Sequence, residues 1–181
     1  INDTVSELPI DSLNLTTTAL LLYALNIYRN EITNTSLEKI LPNLTRRIIE
    51  FYNENIGLFY DPHSEGNAIF QTYLVLGVIA NNISILLTQE QIEKIGKAIL
   101  DMRYRGSNQK LEGGFGWNPS KPTVFETGLS IAILTWLYTN NLTDENTSKT
   151  LTDPQFLNTT LLFVNNSQNA SGGILENPLS D

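Results

Sequence analysis

Cysteine is absent from all 181 residues, and histidine and methionine occur once each. Without thiols there is no disulfide framework, no zinc–thiolate site, no iron–sulfur cluster, no cysteine nucleophile and no thioester. A chain of this length does not require disulfides, because it can bury roughly two thirds of the surface that its unfolded form exposes. Basic residues are scarce too: 11 Lys and Arg stand against 19 Asp and Glu, for a net charge of -8. Nucleic acid and anionic membrane surfaces call for a basic stripe, so neither is an expected partner. The few cations are scattered, and Arg46-Arg47 and Arg103/Arg105 read as solvated outer faces of helices. No uninterrupted apolar run reaches the ~18 residues of a membrane span, so none is expected in this segment. The first residue is Ile1 rather than Met, which points to a removed leader peptide.

What the chain has in excess is the Asn-x-Ser/Thr acceptor. It occurs at Asn2, Asn14, Asn34, Asn43, Asn82, Asn141, Asn146, Asn158, Asn165 and Asn169, ten sites in all. Chance pairing at this composition gives about four. The excess, the missing initiator Met and the low lysine content lead to the expectation of an extracellular or cell-surface glycoprotein carrying N-linked glycans. The lack of cysteine fits an archaeal exterior. An Asn- and Thr-rich composition without attached sugar is the simpler alternative.

The sequence also repeats itself. Leu15-Thr16-Thr17, Phe70-Gln71-Thr72 and Phe125-Glu126-Thr127 each introduce an apolar run, with the final threonines 55 residues apart. A second series lies in the intervening segments. The stretch from Gln109 through Gly113-Gly114-Phe115-Gly116-Trp117-Asn118-Pro119 matches that from Gln168 through Gly172-Gly173-Ile174-Leu175-Glu176-Asn177-Pro178, and Gly57-Leu58-Phe59-Tyr60-Asp61-Pro62 is a weaker copy. Residues 14–29, 67–81 and 123–139 are apolar nearly all round, as helices buried on every side would be. Residues 36–54, 89–104 and 154–166 carry one apolar face at helical spacing and are predicted as outer helices. Thr88-x-x-Gln91 reads as a capping box and Asp153-Pro154 as an N-cap followed by proline in the first turn. Pro42 either kinks the 36–54 helix or marks a late start.

Alternating buried and amphipathic helices, with a Gly-Gly-aromatic loop before each buried one, predict an all-α array of two layers. The stretch QKLEGGFGW followed by ETGLSIAILTWL, within Gln109 to Leu137, resembles the repeat shared by protein prenyltransferase β subunits and squalene or oxidosqualene cyclases. The resemblance implies an α/α toroid-like array of about three helix pairs, half the number those toroids use. One domain over 1–181 is expected, with repeats at roughly 12–56, 57–112 and 113–171 and the start of another at 172–181. The incomplete count implies either self-association or the remainder of a longer chain. A helical solenoid of another kind is the alternative architecture.

The chemistry that the resemblance implies is missing. Prenyltransferases of this kind hold zinc with Asp, Cys and His, whereas Val124 and Glu126 stand near the expected Asp and Cys. The cyclases use an Asp-rich acid motif, and no DxDD-like string occurs. No metal and no cofactor is therefore expected. The remaining catalytic candidates are Asp61, His63 and Glu65, where the only histidine lies between two carboxylates, together with Glu126 at the start of a buried helix. Imidazole and carboxylate are suited to proton transfer, although a solvated polar loop and a helix-capping acid account for the same residues.

In such an array the loops before the buried helices gather at one rim. Asn34, Asn82, Asn141 and Asn146 fall in the opposite turns, while Asn118 and Asn177 precede proline, which blocks glycan transfer. This predicts one sugar-bearing rim and one bare rim, with Phe59, Tyr60, Phe115, Trp117 and Glu126 as the ligand-binding candidates. A tight glycine turn with Trp117 packed over a helix is the structural alternative. The reading favoured by these observations is a noncatalytic surface or secreted module used for scaffolding, assembly or ligand binding. A toroid-type enzyme acting on a polysaccharide or isoprenoid is the alternative.

Overall fold

The computed structural model of the chain describes residues 10–28, 35–169, 171 and 173–179, without the side chains of 35–39. The fold is predominantly helical, as the sequence predicts. In order, the helices are α1 (Leu15–Tyr28), α2 (Thr35–Glu50), α3 (Ala68–Ile79), α4 (Ile83–Leu86), α5 (Gln89–Asp101), α6 (Val124–Thr139), α7 (Glu145–Thr152) and α8 (Pro154–Asn166). Short 3-10 turns precede α1 and α4, and two-residue strands β1 (Tyr52–Asn53) and β2 (Leu58–Phe59) form a hairpin.

Local chemistry sets the helix ends. The Thr88 hydroxyl accepts the Gln91 N–H at 3.2 Å and the Gln91 carboxamide accepts the Thr88 N–H at 2.9 Å, so the capping box opens α5 as expected. Asp153 accepts the Gln155 N–H at 2.9 Å and Pro154 occupies the first turn of α8. Helix α2 begins at Thr35, which places Pro42 well inside it and excludes a late start. Helix α7 went unnoticed in the sequence because it has eight residues and a single buried one, Thr147. Its N-cap, Asp144, takes the N–H groups of Asn146 and Thr147 at 2.9 and 3.2 Å.

The contacts group into two compact units. One comprises Ile1–Asn53 with Phe59–Leu86, the other Glu54–Leu58 with Leu87–Asp181. In the first, α1 packs on α2 and α3, and Leu15, Leu22, Leu44, Ile48, Val75 and Ile79 fill the core. In the second, α5 packs on α6 and α7, and α8 packs on α6 and α7, around Ile92, Ile99, Phe115, Leu134, Leu137 and Phe163. Repeats that contact chiefly their neighbours divide in this way. Gly96 of α5 is buried against α7 and α6, where a Cβ would stand at ordinary contact distance, 3.5 Å from the Thr147 side chain and 3.7 Å from Leu137.

Two expectations are corrected. The apolar helices are not buried on every side: Leu20, Tyr23 and Ile27 of α1, Tyr73 of α3, and Phe125 and Tyr138 of α6 are exposed. Within its own unit each of these helices is covered on one side only. Two of the arginines are also not simply solvated. Arg47 stacks over Phe51 at 4.4 Å and donates to the Leu13 carbonyl, and Arg103 stacks over Phe156 at 4.6 Å and donates to Thr159. Arg105 does lie at the surface, paired with Asp101 at 2.7 Å. The 19-residue stretch Ala68–Leu86 is long and apolar enough to cross a membrane by length and composition. The stretch contains no Asp, Glu, Lys or Arg, and in this fold it buries Ile69, Val75, Leu76 and Ile79.

Candidate functional site

The repeated loops are held by the helices that follow them, through a two-residue clasp. In the first unit the Thr72 hydroxyl accepts the Phe59 N–H at 3.0 Å, and the Gln71 carboxamide oxygen accepts the Asp61 N–H at 2.8 Å. In the second unit the Thr127 hydroxyl accepts the Phe115 N–H at 2.8 Å, and the Glu126 carboxylate accepts the Trp117 N–H at 3.2 Å. The aromatic side chains are driven inward as a result. Phe59 and Phe115 are both 0% exposed, and each meets a second ring edge-on, Tyr52 at 5.4 Å and Phe156 at 6.2 Å. Burying each phenyl group contributes about 2–3 kcal/mol. These two residues therefore belong to the core and present no face to a ligand, unlike Tyr60, which is half-buried, and Trp117, which is 36% exposed.

A hydroxyl suits the clasp because it can accept from the loop while donating elsewhere. Thr127 donates to the Thr123 carbonyl at 2.7 Å while receiving the Phe115 N–H. The first copy departs from the 55-residue spacing. Thr17 is exposed, whereas Thr18 is fully buried and donates to the Asn14 carbonyl at 2.7 Å as Thr127 does to Thr123. The buried threonine of α1 is therefore Thr18, one residue later than the sequence alignment places it.

The acidic candidates occupy structural positions. Glu126 is buried, with one carboxylate oxygen on the Trp117 N–H and the other on the Thr123 hydroxyl at 2.9 Å. Asp61 is buried as well. It accepts the His63 N–H at 2.9 Å, the Leu15 N–H at the start of α1 at 3.1 Å and the Ser64 hydroxyl at 3.0 Å. Burial pushes the Asp61 carboxyl up, but these hydrogen bonds together outweigh it and hold the group below the ordinary carboxylate value. His63 and Glu65 are exposed on the same turn. The Glu65 carbonyl accepts the Gln71 carboxamide at 3.3 Å and the Thr16 hydroxyl at 3.4 Å. The turn is thus an anchor for the N-termini of α1 and α3. Among the described residues, no group of three or more His, Cys, Asp and Glu side chains is placed to hold a metal ion.

Glycine supplies the approach that the second clasp needs. Gly113 has φ +86°, and a Cβ there would run into the backbone of α8 at Thr159–Thr160. Gly114 lies against Phe163 and Pro122. The clasp residues Gln71, Thr72 and Thr127 were legible in the sequence as repeat landmarks but not as ligands of the loops. Arg103 read in the sequence only as a solvated surface charge.

The asparagine acceptors are mostly at the surface. Asn43, Asn82, Asn141, Asn146, Asn158, Asn165 and Asn169 are exposed and Asn14 is half-buried, while Asn2 and Asn34 lie outside the described residues. Asn141 adopts φ 57° past the end of α6, a conformation asparagine tolerates. Within the second unit, Trp117 precedes α6 and Asn141 follows it, so about 24 Å of helix separates them. The bare rim nevertheless does not hold. Asn14 caps α1 beside the Asp61 turn, and Asn169 organises the third glycine-rich loop by accepting the Gly173 N–H at 2.7 Å and the Ser171 hydroxyl at 2.9 Å. Both acceptors stand at the glycine-loop end of their units, because these loops need Asx side chains to close their turns.

Compared with known proteins, the chain matches no protein-family model, no curated protein and no solved structure.

Proposed function

We propose that the chain is a noncatalytic, N-glycosylated extracellular module with a scaffolding, assembly or ligand-binding role, built on α/α repeats that resemble those of protein prenyltransferase β subunits and squalene or oxidosqualene cyclases. One observation carries the noncatalytic reading: Glu126, the acid best placed at the mouth of a buried helix, does for its loop what the amide of Gln71 does in the other unit. A position that an amide fills in the other unit fastens its loop without needing a titratable group. Exposure of seven of the eight described acceptor asparagines supports the glycoprotein reading. Intact-glycopeptide mass spectrometry on native material tests it. Glycans are expected at Asn82, Asn141 and Asn146 among others; wholly unmodified asparagines would overturn the extracellular assignment.

A further inference from the structure

The three glycine-rich loops share one main-chain pattern, and the third is filled on one side only. In each, an N–H bonds back across the hairpin: Tyr60 to the Phe51 carbonyl at 3.0 Å, Gly116 to Met102 at 3.1 Å and Leu175 to Ser167 at 2.7 Å. In each, an Asx residue before proline accepts the N–H two residues on: Asp61 from His63 at 2.9 Å, Asn118 from Ser120 at 3.1 Å and Asn177 from Leu179 at 2.8 Å. Ile174 thus holds the place of Phe59 and Phe115, and Glu176 that of the second clasped N–H.

The 61–65 turn and the third loop also hold the N-terminus of the preceding buried helix, through Leu15 N–H to Asp61 at 3.1 Å and Val124 N–H to the Glu176 carbonyl at 2.7 Å. Phe59 and Phe115 are then clasped by the helix that follows. Among the described residues, no Thr–Gln or Thr–Glu clasp reaches Ile174 and Glu176. The consequence is visible in burial: Phe59 and Phe115 are 0% exposed, and Ile174 is 62% exposed.

Helix α8 is open on the corresponding side. Helices α5 and α8 end in caps of the same conformation, Met102 with φ -84° and ψ 2° and Ser167 with φ -85° and ψ 1°. Aligned at these caps, Ile92 corresponds to Leu157 and Gly96 to Leu161. Ile92 and Gly96 are buried, Gly96 facing Thr147 of α7 and Leu137 of α6. Leu157 and Leu161 are exposed, Leu161 at 67%. Two features of the second unit are therefore left open: the third-loop N–H groups, unclasped among the described residues, and the leucine pair of α8.

We propose that this loop and the Leu157/Leu161 face seat a further helix pair of the same construction. Its buried helix brings a Thr hydroxyl to the Ile174 N–H and a Gln or Glu side chain to the Glu176 N–H. In both filled loops the threonine stands 12 or 13 residues beyond the aromatic residue in the same polypeptide, so a repeat joined in that register meets the seat. The inference rests on the repeat geometry and is independent of glycosylation.

The test is an extended chain in which a copy of residues 123–168 is joined directly after Asp181, so that the copied Thr127 falls in that register. Amide hydrogen exchange is read at Ile174 and Glu176 in the original and extended chains. Both amides are expected to slow by about tenfold or more on extension, and replacing the copied Thr127 by valine is expected to release Ile174 again. Because the chain has no cysteine, a second measurement is clean: a cysteine at Leu161 and another at the copied Thr147 should join as a disulfide in air. Unchanged exchange in an extended chain that has gained helix, or no cross-link, overturns the proposal. So does protection of Ile174 in the original chain, whether as a monomer or only as a dimer, since the seat would then be filled from within or by a second copy.

Discussion

The clasps of the two units differ in one residue, and the difference follows from what each loop offers. Around Gln71 the first loop presents carbonyls, and the carboxamide nitrogen donates to those of Asp61, Glu65 and Gly66 at 3.1, 3.3 and 3.0 Å while its oxygen accepts the Asp61 N–H. Around Glu126 the second loop presents two donors, the Trp117 N–H and the Thr123 hydroxyl. An amide serves where donors and acceptors are mixed, and a carboxylate where only donors converge. The identity of a residue at a repeated position is thus set by the polarity of the loop facing it, while threonine beside it is common to both.

The strongest perturbation of this comparison is Gly113→Ala, which forces a side chain into left-handed backbone and into α8. It should cost about 3 kcal/mol or more and unfold the second unit ahead of the first, as hydrogen exchange resolved along the chain would reveal; equal loss in both units would show that they do not melt separately. Next is the exchange of the clasp residues. Gln71→Glu sets a carboxylate against three carbonyls in a buried position and should cost about 2–3 kcal/mol, whereas Glu126→Gln keeps an acceptor for Trp117 and should cost under about 1 kcal/mol. Denaturant titration of the pair distinguishes this asymmetry from a shared demand for charge. Thr72→Val and Thr127→Val each strand a buried N–H, at about 1–2 kcal/mol apiece, and similar values would confirm that the hydroxyl does the same work twice.

The smallest effect is in pH. Because the folded Asp61 carboxyl lies below its ordinary value of 3.8, its contribution is fully present above that value and is lost as pH falls through the lower folded one. Acid titration should therefore weaken the first unit more in the parent chain than in Asp61→Asn. Asp144 is shifted in the same direction in the second unit: burial raises it, and hydrogen bonds from Thr147 and Asn146 more than compensate. The Asp61→Asn comparison is made on first-unit amides for that reason.

Helix positions were legible because apolar spacing reports them directly: the predicted 67–81, 123–139 and 154–166 coincide with α3, α6 and α8 within a residue or two. The glycine-rich loops were legible as repeats, since turn geometry restricts residue choice. Their role was not, because a side chain that clasps a backbone N–H leaves no mark that distinguishes it from a helix start. Glu126 illustrates this, as an acid beside a buried helix reads equally as a catalyst, a cap or a clasp. Arg103 illustrates the opposite error: a charge in an exposed-looking stretch is half-buried over Phe156 because its flat guanidinium can stack while its charge stays partly hydrated.

By itself, the sequence determined the helical class, the alternation of apolar and amphipathic segments, the caps at Thr88 and Asp153, and the recurrence of glycine-containing turns. Each of these depends on interactions within a few residues, so local spacing encodes them. Only the tertiary structure decided that Phe59 and Phe115 are core, that Asp61 and Glu126 fasten backbone N–H groups, and that the third loop stands half-clasped. Those facts depend on groups 9 to 46 residues apart in the chain, and no local pattern specifies which of several equivalent donors a folded backbone will bring within 3 Å.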